Sequence, residues 1–245
     1  MAQQNIYDNA TFFEGYRNLR EKENNANNLF EIPALLSLLP ELDGKKVLDL
    51  GCGFGDHCTL FAKKGAKRVV GIDISKNMLA VAKKENADPR IEYIDLPIES
   101  THKLNEKFDI AISSLALHYV EDFRGAIKGI YEKLVPGGVF IFSQEHPLVT
   151  CHSRGSRWTK DENGEKLYVN LANYGVEGVR DTKWFVEGVK IYHRTFSSIV
   201  NTLTEAGFTV EKMIEPRPSP ELLEKYPEHR DLFHKPDFLL IRARK

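Results

Sequence analysis

The apolar positions of this chain follow two rhythms. Near the N-terminus they have helical spacing. Phe12, Phe13, Tyr16 and Leu19 mark one face of a short helix, and Thr11 followed three residues on by Glu14 has the form of a capping box. The run NNANN (24–28) interrupts that helix. Ile32, Leu35, Leu36 and Leu39 then fall at i, i+3, i+4 and i+7, which predicts a second helix ending at Pro40.

From Lys45 the rhythm changes, and short continuous apolar runs alternate with amphipathic stretches. KVLDL (46–50), RVVGID (68–73), RIEYI (90–94), FDIAISS (108–114) and VFIFS (139–143) read as strands. Between them DHCTLFAKKG (56–65), a segment capped by Ser75, and the face Phe123, Ile127, Ile130, Leu134 read as helices. Pro136-Gly137-Gly138 closes the last of these. Runs with no polar alternation suit strands buried on both faces, so a doubly wound α/β domain with a parallel sheet is expected.

Residues 146–192 break the pattern. They are rich in glycine, charge and aromatics, and read as an insertion over the carboxyl edge of the sheet. The rhythm resumes with the helix face Phe196, Ile199, Val200, Leu203, the strand FTVEKMIE (208–215), the loop EPRPSP (215–220) and a last strand, DFLLIRARK (237–245). The expected organisation is one domain over 1–245, with a helical N-terminal segment 1–43 and the insertion as a lid.

Composition narrows the function classes. A net charge of -1 with no long single-sign run argues against a large nucleic-acid footprint. Three cysteines without a C-x-x-C pair fit a reducing compartment. No signal-peptide pattern and no membrane-length apolar run stand out, so a cytoplasmic protein without a membrane partner is expected. His146, Cys151 and His152 lack the usual ligand pairing, and no metal is expected.

The chemistry concentrates in VLDLGCGFGDHC (47–58). Gly51, Gly53 and Gly55 let the backbone turn sharply and approach a ligand, at the strand end where open parallel sheets bind nucleotides. A dinucleotide turn wants G-x-G-x-x-G, but Asp56 stands at the third glycine position, where an acid repels a pyrophosphate and tolerates a cation. Asp73, at the end of the second strand, can accept hydrogen bonds from both ribose hydroxyls. Asp49 and Cys52 read as structural.

These residues resemble class I S-adenosylmethionine-dependent methyltransferases. VLDLGCGFG resembles the first motif of that family, GIDIS (71–75) the second, FDIAISSLALHYVED (108–122) the fourth, and PGGVFIFS (136–143) the turn and fifth strand. The resemblance covers roughly 12–143 and 193–245. It implies a Rossmann-like, seven-stranded, mostly parallel sheet whose last strand is antiparallel and inserted between its neighbours. It implies S-adenosylmethionine as cofactor and S-adenosylhomocysteine as product. Carried over, Gly51, Cys52 and Gly53 back the methionine and ribose. Asp73 takes the ribose, and Ile74 and Met78 flank the adenine. Ile98 and Glu99 meet the adenine edge, with Asp95 a competing choice. Ser114 and Leu115 touch the ligand from the fourth strand. Arg20 suits the methionine carboxylate or an acidic substrate, and Tyr16 shares its face.

A sulfonium methyl is already electrophilic, so the protein has to align a nucleophile and exclude water; a general base helps when the nucleophile starts protonated. His118, His146 and His193 are the candidates, His146 foremost because it leaves a strand end directly. Tyr174, Trp184 and Arg194 are candidates for the acceptor pocket, although aromatics there equally suit an oligomer contact or the insertion's own small core. The expected acceptor is a small molecule, since the chain shows no basic bias and no appended nucleic-acid module, and SSLA stands where a nucleic-acid methyltransferase more often carries N/D-P-P-Y/F. The alternatives are a Rossmann oxidoreductase using NAD and a non-catalytic protein that binds S-adenosylmethionine.

Overall fold

In the computed structural model, which describes residues 4–153 and 155–245, helices and strands alternate as the apolar rhythm requires. Helices α1 (Ala10–Glu21) and α2 (Ile32–Ser37) precede β1 (Lys46–Leu50), α3 (Asp56–Lys63), β2 (Arg68–Asp73), α4 (Lys76–Glu85), β3 (Ile91–Asp95), β4 (Phe108–Ser113), α5 (Phe123–Lys133) and β5 (Leu134–Glu145). The insertion holds α6 (Pro147–Thr150) and two antiparallel hairpins, β6 (Trp158–Lys160) with β7 (Lys166–Val169) and β8 (Gly178–Trp184) with β9 (Val186–His193). Helix α7 (Phe196–Glu205), β10 (Thr209–Ile214), α8 (Pro220–Lys225) and β11 (Phe238–Arg244) complete the chain.

Seven strands form one sheet in the order β10-β11-β5-β4-β1-β2-β3. Strand β11 runs antiparallel to both β10 and β5, while β5, β4, β1, β2 and β3 pair in parallel. The strand order therefore reverses between β1 and β4, and a crevice opens at their carboxyl ends. Both faces of the sheet are dry. Leu48, Leu50, Phe140 and Phe142 pack with α5 and α7 on one face. Val47, Ile110, Ile112 and Ile141 pack with Phe61 and Leu35 on the other. Each such side chain contributes about 1.5–3 kcal/mol by leaving water.

Local signals needed three corrections. The cap of α1 is Asn9, whose Oδ1 accepts from Phe12 N at 3.1 Å, so Thr11 and Glu14 lie inside the helix. Asn is among the best caps, and Asn9, two residues ahead of Thr11, takes that position. The NNANN run opens the next helical stretch as well as ending the first: Asn25 Oδ1 accepts from Asn28 N at 2.9 Å, and a π-turn over Asn27–Glu31 leads into α2. Finally, Pro136–Gly138 lies within β5, where Gly137 takes φ +76° and the pairing with β4 shifts register between Phe108 and Ile110.

The tip of the β8–β9 hairpin reaches back to α1. Trp184 and Phe185 meet the Phe12 ring edge-on at 5.2 and 5.5 Å, and Trp184 meets Tyr16 at 6.0 Å. No helix among the described residues is long and apolar enough to cross a membrane.

Candidate active site

The crevice is built on the turn after β1. The N–H groups of Gly51 and Cys52 both donate to Ile72 O, at 2.8 and 3.0 Å, tying the turn to the end of β2. Gly51 takes φ +75°, and a Cβ there would lie 2.5 Å from that of Ala116. Gly53 takes φ +53°, yet a Cβ there would meet nothing within 4 Å, because this part of the turn faces the cavity. Asp73 braces the turn: its Oδ2 accepts from Gly53 N at 2.9 Å and its Oδ1 from Ser75 N at 2.8 Å. Burial raises the affinity of Asp73 for its proton, and the backbone N–H groups oppose that. Beneath the turn Asp49 is buried. It accepts from the Cys58 thiol at 3.2 Å and is pushed up to about 7 by burial, a structural setting and not a catalytic one.

One cavity runs over this turn. Tyr16, Gly51, Gly53, Asp73, Ile74, Met78, Ile98, Glu99, Ser114 and Leu115 all line it. Arg20 and Cys52 line the adjoining hollow with Phe54 and Asp56. Asp95 pairs with Asp73 across the sheet, and Ile98 and Glu99 reach the cavity instead. Arg20 sits 3.7 Å from the Asp56 carboxylate, so the acid at the helix start is partly neutralised.

Several lining groups left no trace in the apolar pattern. Tyr7 and Tyr119 close the cavity from the N-terminal strap and from the segment after β4. The strap is fastened to α4: Ser75 Oγ donates to Asp8 Oδ1 at 2.6 Å, and Asn5 Nδ2 donates to Ile74 O at 3.0 Å. Leu115 holds a left-handed φ of +51°, fixed by donation from its N to Ser143 Oγ at 3.0 Å. Glu31, fully buried, accepts from the hydroxyls of Ser143 and of Ser114, the latter at 2.9 Å. Burial pushes Glu31 up, and its Oε2 has no partner among the described residues. His57 lines the hollow beside Arg20, pushed down to about 4 by burial.

A second cavity, of about 290 Å³, lies on the far side of the tyrosines. Tyr16, Leu19 and Asn27 come from the N-terminal helices. His118 and Tyr119 follow β4, Glu145 ends β5, and Asp237 and Phe238 open β11. Val149, Arg157 and Trp184 come from the insertion. Tyr7, Tyr16, Leu115 and Tyr119 line both cavities and form the junction between them.

Residues 48–142 match the methyltransferase domain family. An uncharacterized protein of Haemophilus influenzae is 42% identical over 246 residues, which covers 98% of this chain and 96% of that one. The crystal structure of an S-adenosylmethionine-dependent methyltransferase from Mesorhizobium loti superposes with a TM-score of 0.81 at 37% identity, covering 93% of this chain and 100% of that chain. This chain belongs to the S-adenosylmethionine-dependent methyltransferases. A Listeria monocytogenes protein provisionally assigned to the same class is 41% identical, with a TM-score of 0.81 over 88% of this chain and 96% of that one.

The methyltransferase uses S-adenosylmethionine, so the NAD alternative falls. The residues present fit that cofactor. A carboxylate braced by two backbone N–H groups faces the cavity, apolar side chains of Ile74, Met78 and Ile98 wall one end, and a guanidinium stands at the other. The side-chain-free face at Gly53 leaves room for close approach.

The histidine reading needs correction. His146 Nδ1 accepts from Leu148 N at 3.1 Å, capping α6, and its Nε2 pairs with Glu215 at 3.0 Å. His193 is wholly buried between Thr150 Oγ1 and Tyr174 O, each at 2.8 Å, and pins the base of the β8–β9 hairpin. Both rings spend both nitrogens on the scaffold. His118 does line the second cavity, but burial pushes it down to about 3, and its Nδ1 accepts from Glu145 N at 3.4 Å, so it stays neutral near pH 7. Of the three pocket candidates from the insertion, Trp184 lines the second cavity. The Tyr174 hydroxyl accepts from Phe196 N at 3.0 Å, and Arg194 donates to the carbonyls of Val120 and Glu121 while stacking on Phe123 at 4.6 Å; both are committed to the scaffold. The group sequence reasoning missed is Glu145, one residue before His146, pushed up to about 7 by burial against the pull of Arg157.

Proposed function

We propose that this enzyme methylates a small-molecule acceptor held in the second cavity, with residues 146–192 serving as the acceptor-side lid of a single domain. The observation that carries this reading is the junction: Tyr7, Tyr16, Leu115 and Tyr119 border both cavities, so a group passing from one to the other passes among them. When bound, S-adenosylmethionine supplies a methyl made electrophilic by its sulfonium.

The residues have separate tasks. Asp73 would hold the ribose hydroxyls. Ile74, Met78 and Ile98 would flank the adenine, with Glu99 at its edge. Arg20 would meet the methionine carboxylate, while Gly51, Cys52, Gly53 and Ser114 shape the floor. Leu115, held left-handed, keeps the junction open on the sheet side. Tyr7, Tyr16, Tyr119 and Trp184 exclude water and orient the acceptor. A cavity of this size suits a small molecule.

Calorimetric titration with S-adenosylhomocysteine and, separately, NADH tests the cofactor half. Tight binding of the first alone is expected. A screen of small acceptors, read by release of S-adenosylhomocysteine, tests the acceptor half. Failure of every small acceptor, with transfer to a protein or nucleic acid, would defeat the reading. Methyl transfer itself would dispose of the non-catalytic alternative.

A further inference from the structure

The second cavity carries a chemistry of its own. Its walls are aromatic and stand at right angles. Tyr7 meets Tyr16 at 5.2 Å with an interplanar angle of 85°, and Tyr16 meets Trp184 at 6.0 Å with 89°. Tyr7 also meets Tyr119 at 6.0 Å with 85°. All four rings line one small volume, and aromatic surface of this kind attracts cations. At the same cavity stands Glu145, half-buried, whose carboxyl oxygens have no hydrogen-bond or ion-pair partner among the described residues. The other lining carboxylate, Asp237, is paired with Lys235. Glu145 is therefore the acid left for a ligand.

Building on the function proposed above, we propose that the acceptor is an amine whose ammonium group sits among these tyrosines, and that Glu145 is the residue that receives its proton. The neutral nitrogen then forms the new N–C bond as the S–C bond breaks. The S–C electron pair stays on sulfur, which becomes a neutral thioether, and the methylated product carries the positive charge. The proton on Glu145 leaves to water when the product departs.

The surroundings of Glu145 suit this task. Arg157 from the insertion lowers its proton affinity, Asp237 raises it and Lys235 lowers it, and burial outweighs them all. His118 and Tyr119 also face it from the segment after β4. The first is held neutral by burial, and the phenol of the second is raised far above neutrality. Glu145 is thus the group in this cavity that exchanges a proton near pH 7.

The test uses three probes with one ring and different head groups: benzylamine, benzyl alcohol and benzoate. Each is titrated calorimetrically into the full-length enzyme saturated with S-adenosylhomocysteine, and each is assayed for methyl transfer from S-adenosylmethionine. Benzylamine should bind at least about tenfold tighter than the other two and alone be methylated. Its kcat/KM should rise tenfold per pH unit below about 7 and level off above, as Glu145 ionises. Glu145→Gln should abolish that inflection and cut amine turnover by about 10²-fold or more, while S-adenosylhomocysteine affinity stays within about twofold. Glu145→Asp should restore part of the turnover and the inflection. Preference for the alcohol or the acid, no response to any of the three, or an unchanged inflection in Glu145→Gln would each overturn the proposal. Loss of S-adenosylhomocysteine binding in the wild type would instead strike the function proposed above.

Discussion

The two sides of the tyrosine junction are built differently. The side proposed for the cofactor has its floor in one stretch, β1 through α4, where backbone N–H groups, glycines and Asp73 do the shaping, and the N-terminal strap and the segments after β3 and β4 complete its walls. The side proposed for the acceptor draws its lining from the N-terminal helices, the ends of β4 and β5, the insertion and the start of β11. Backbone geometry that must meet the same cofactor admits few residue types at few spacings. A cavity walled by side chains from distant segments can exchange almost any of them. The first half therefore carries a motif and the second does not.

Substitutions sharpen this contrast. The largest effect should come from the cofactor side. Asp73→Ala removes two backbone braces and the proposed ribose acceptor, and S-adenosylhomocysteine affinity measured by calorimetry should drop about 10²-fold or more in a folded protein. Gly53→Val should do the same by filling the open face of the turn. Affinity unchanged in Asp73→Ala would remove its ribose role.

On the acceptor side, His193→Ala should cost about 2–3 kcal/mol in denaturant unfolding, because it leaves Thr150 and the Tyr174 carbonyl without their buried partner. If it instead removed the pH inflection in kcat/KM, the scaffold assignment would be wrong.

Asp49 makes a prediction about pH. Its folded pKa, about 7, lies above the ordinary carboxylate value, so the folded state binds the extra proton and this residue's contribution to stability falls as pH rises from about 4 to 7. Asp49→Asn should then gain stability relative to wild type across that window, seen as a difference in Tm that grows with pH. A difference that shrinks with rising pH would contradict the burial argument.

Smaller effects should follow at the two ends. Trp184→Ala should raise the acceptor KM about tenfold and leave S-adenosylhomocysteine affinity alone, since Trp184 lines only the second of the two cavities that meet at the junction. Equal losses on both sides would mean that the hairpin tip supports the cofactor cavity as well. Asn9→Ala should cost about 1 kcal/mol of thermal stability through the lost cap, and Thr11→Ala much less.

Much of this architecture was legible before any coordinates. The strands were readable because parallel strands buried on both faces must be apolar without interruption, as at Val47–Leu50 and Phe140–Phe142. The ten cavity-lining residues from Tyr16 to Leu115 were readable because a glycine turn and an acid at a strand end have fixed places in this fold. His146 and Glu145 mark where such reading stops. They are neighbours in sequence, but Glu145 ends β5 and lines the cavity, while His146 caps α6 and turns into the scaffold against Glu215. Residue type favoured the histidine; direction favoured the glutamate. Glu31 and Tyr7 were equally invisible, since their neighbours in sequence say nothing of Ser143 or Tyr119, which lie more than 100 residues away.

By itself, then, the sequence determined the sheet, its core and the glycine turn that floors the first cavity, because those follow from short-range rules: the period of the apolar residues, the conformational freedom of glycine and the reach of one carboxylate. Only the tertiary structure decided which titratable groups stay neutral, which are consumed by the scaffold, and which carboxylate faces the second cavity. Those outcomes depend on burial and on partners brought together from opposite ends of the chain.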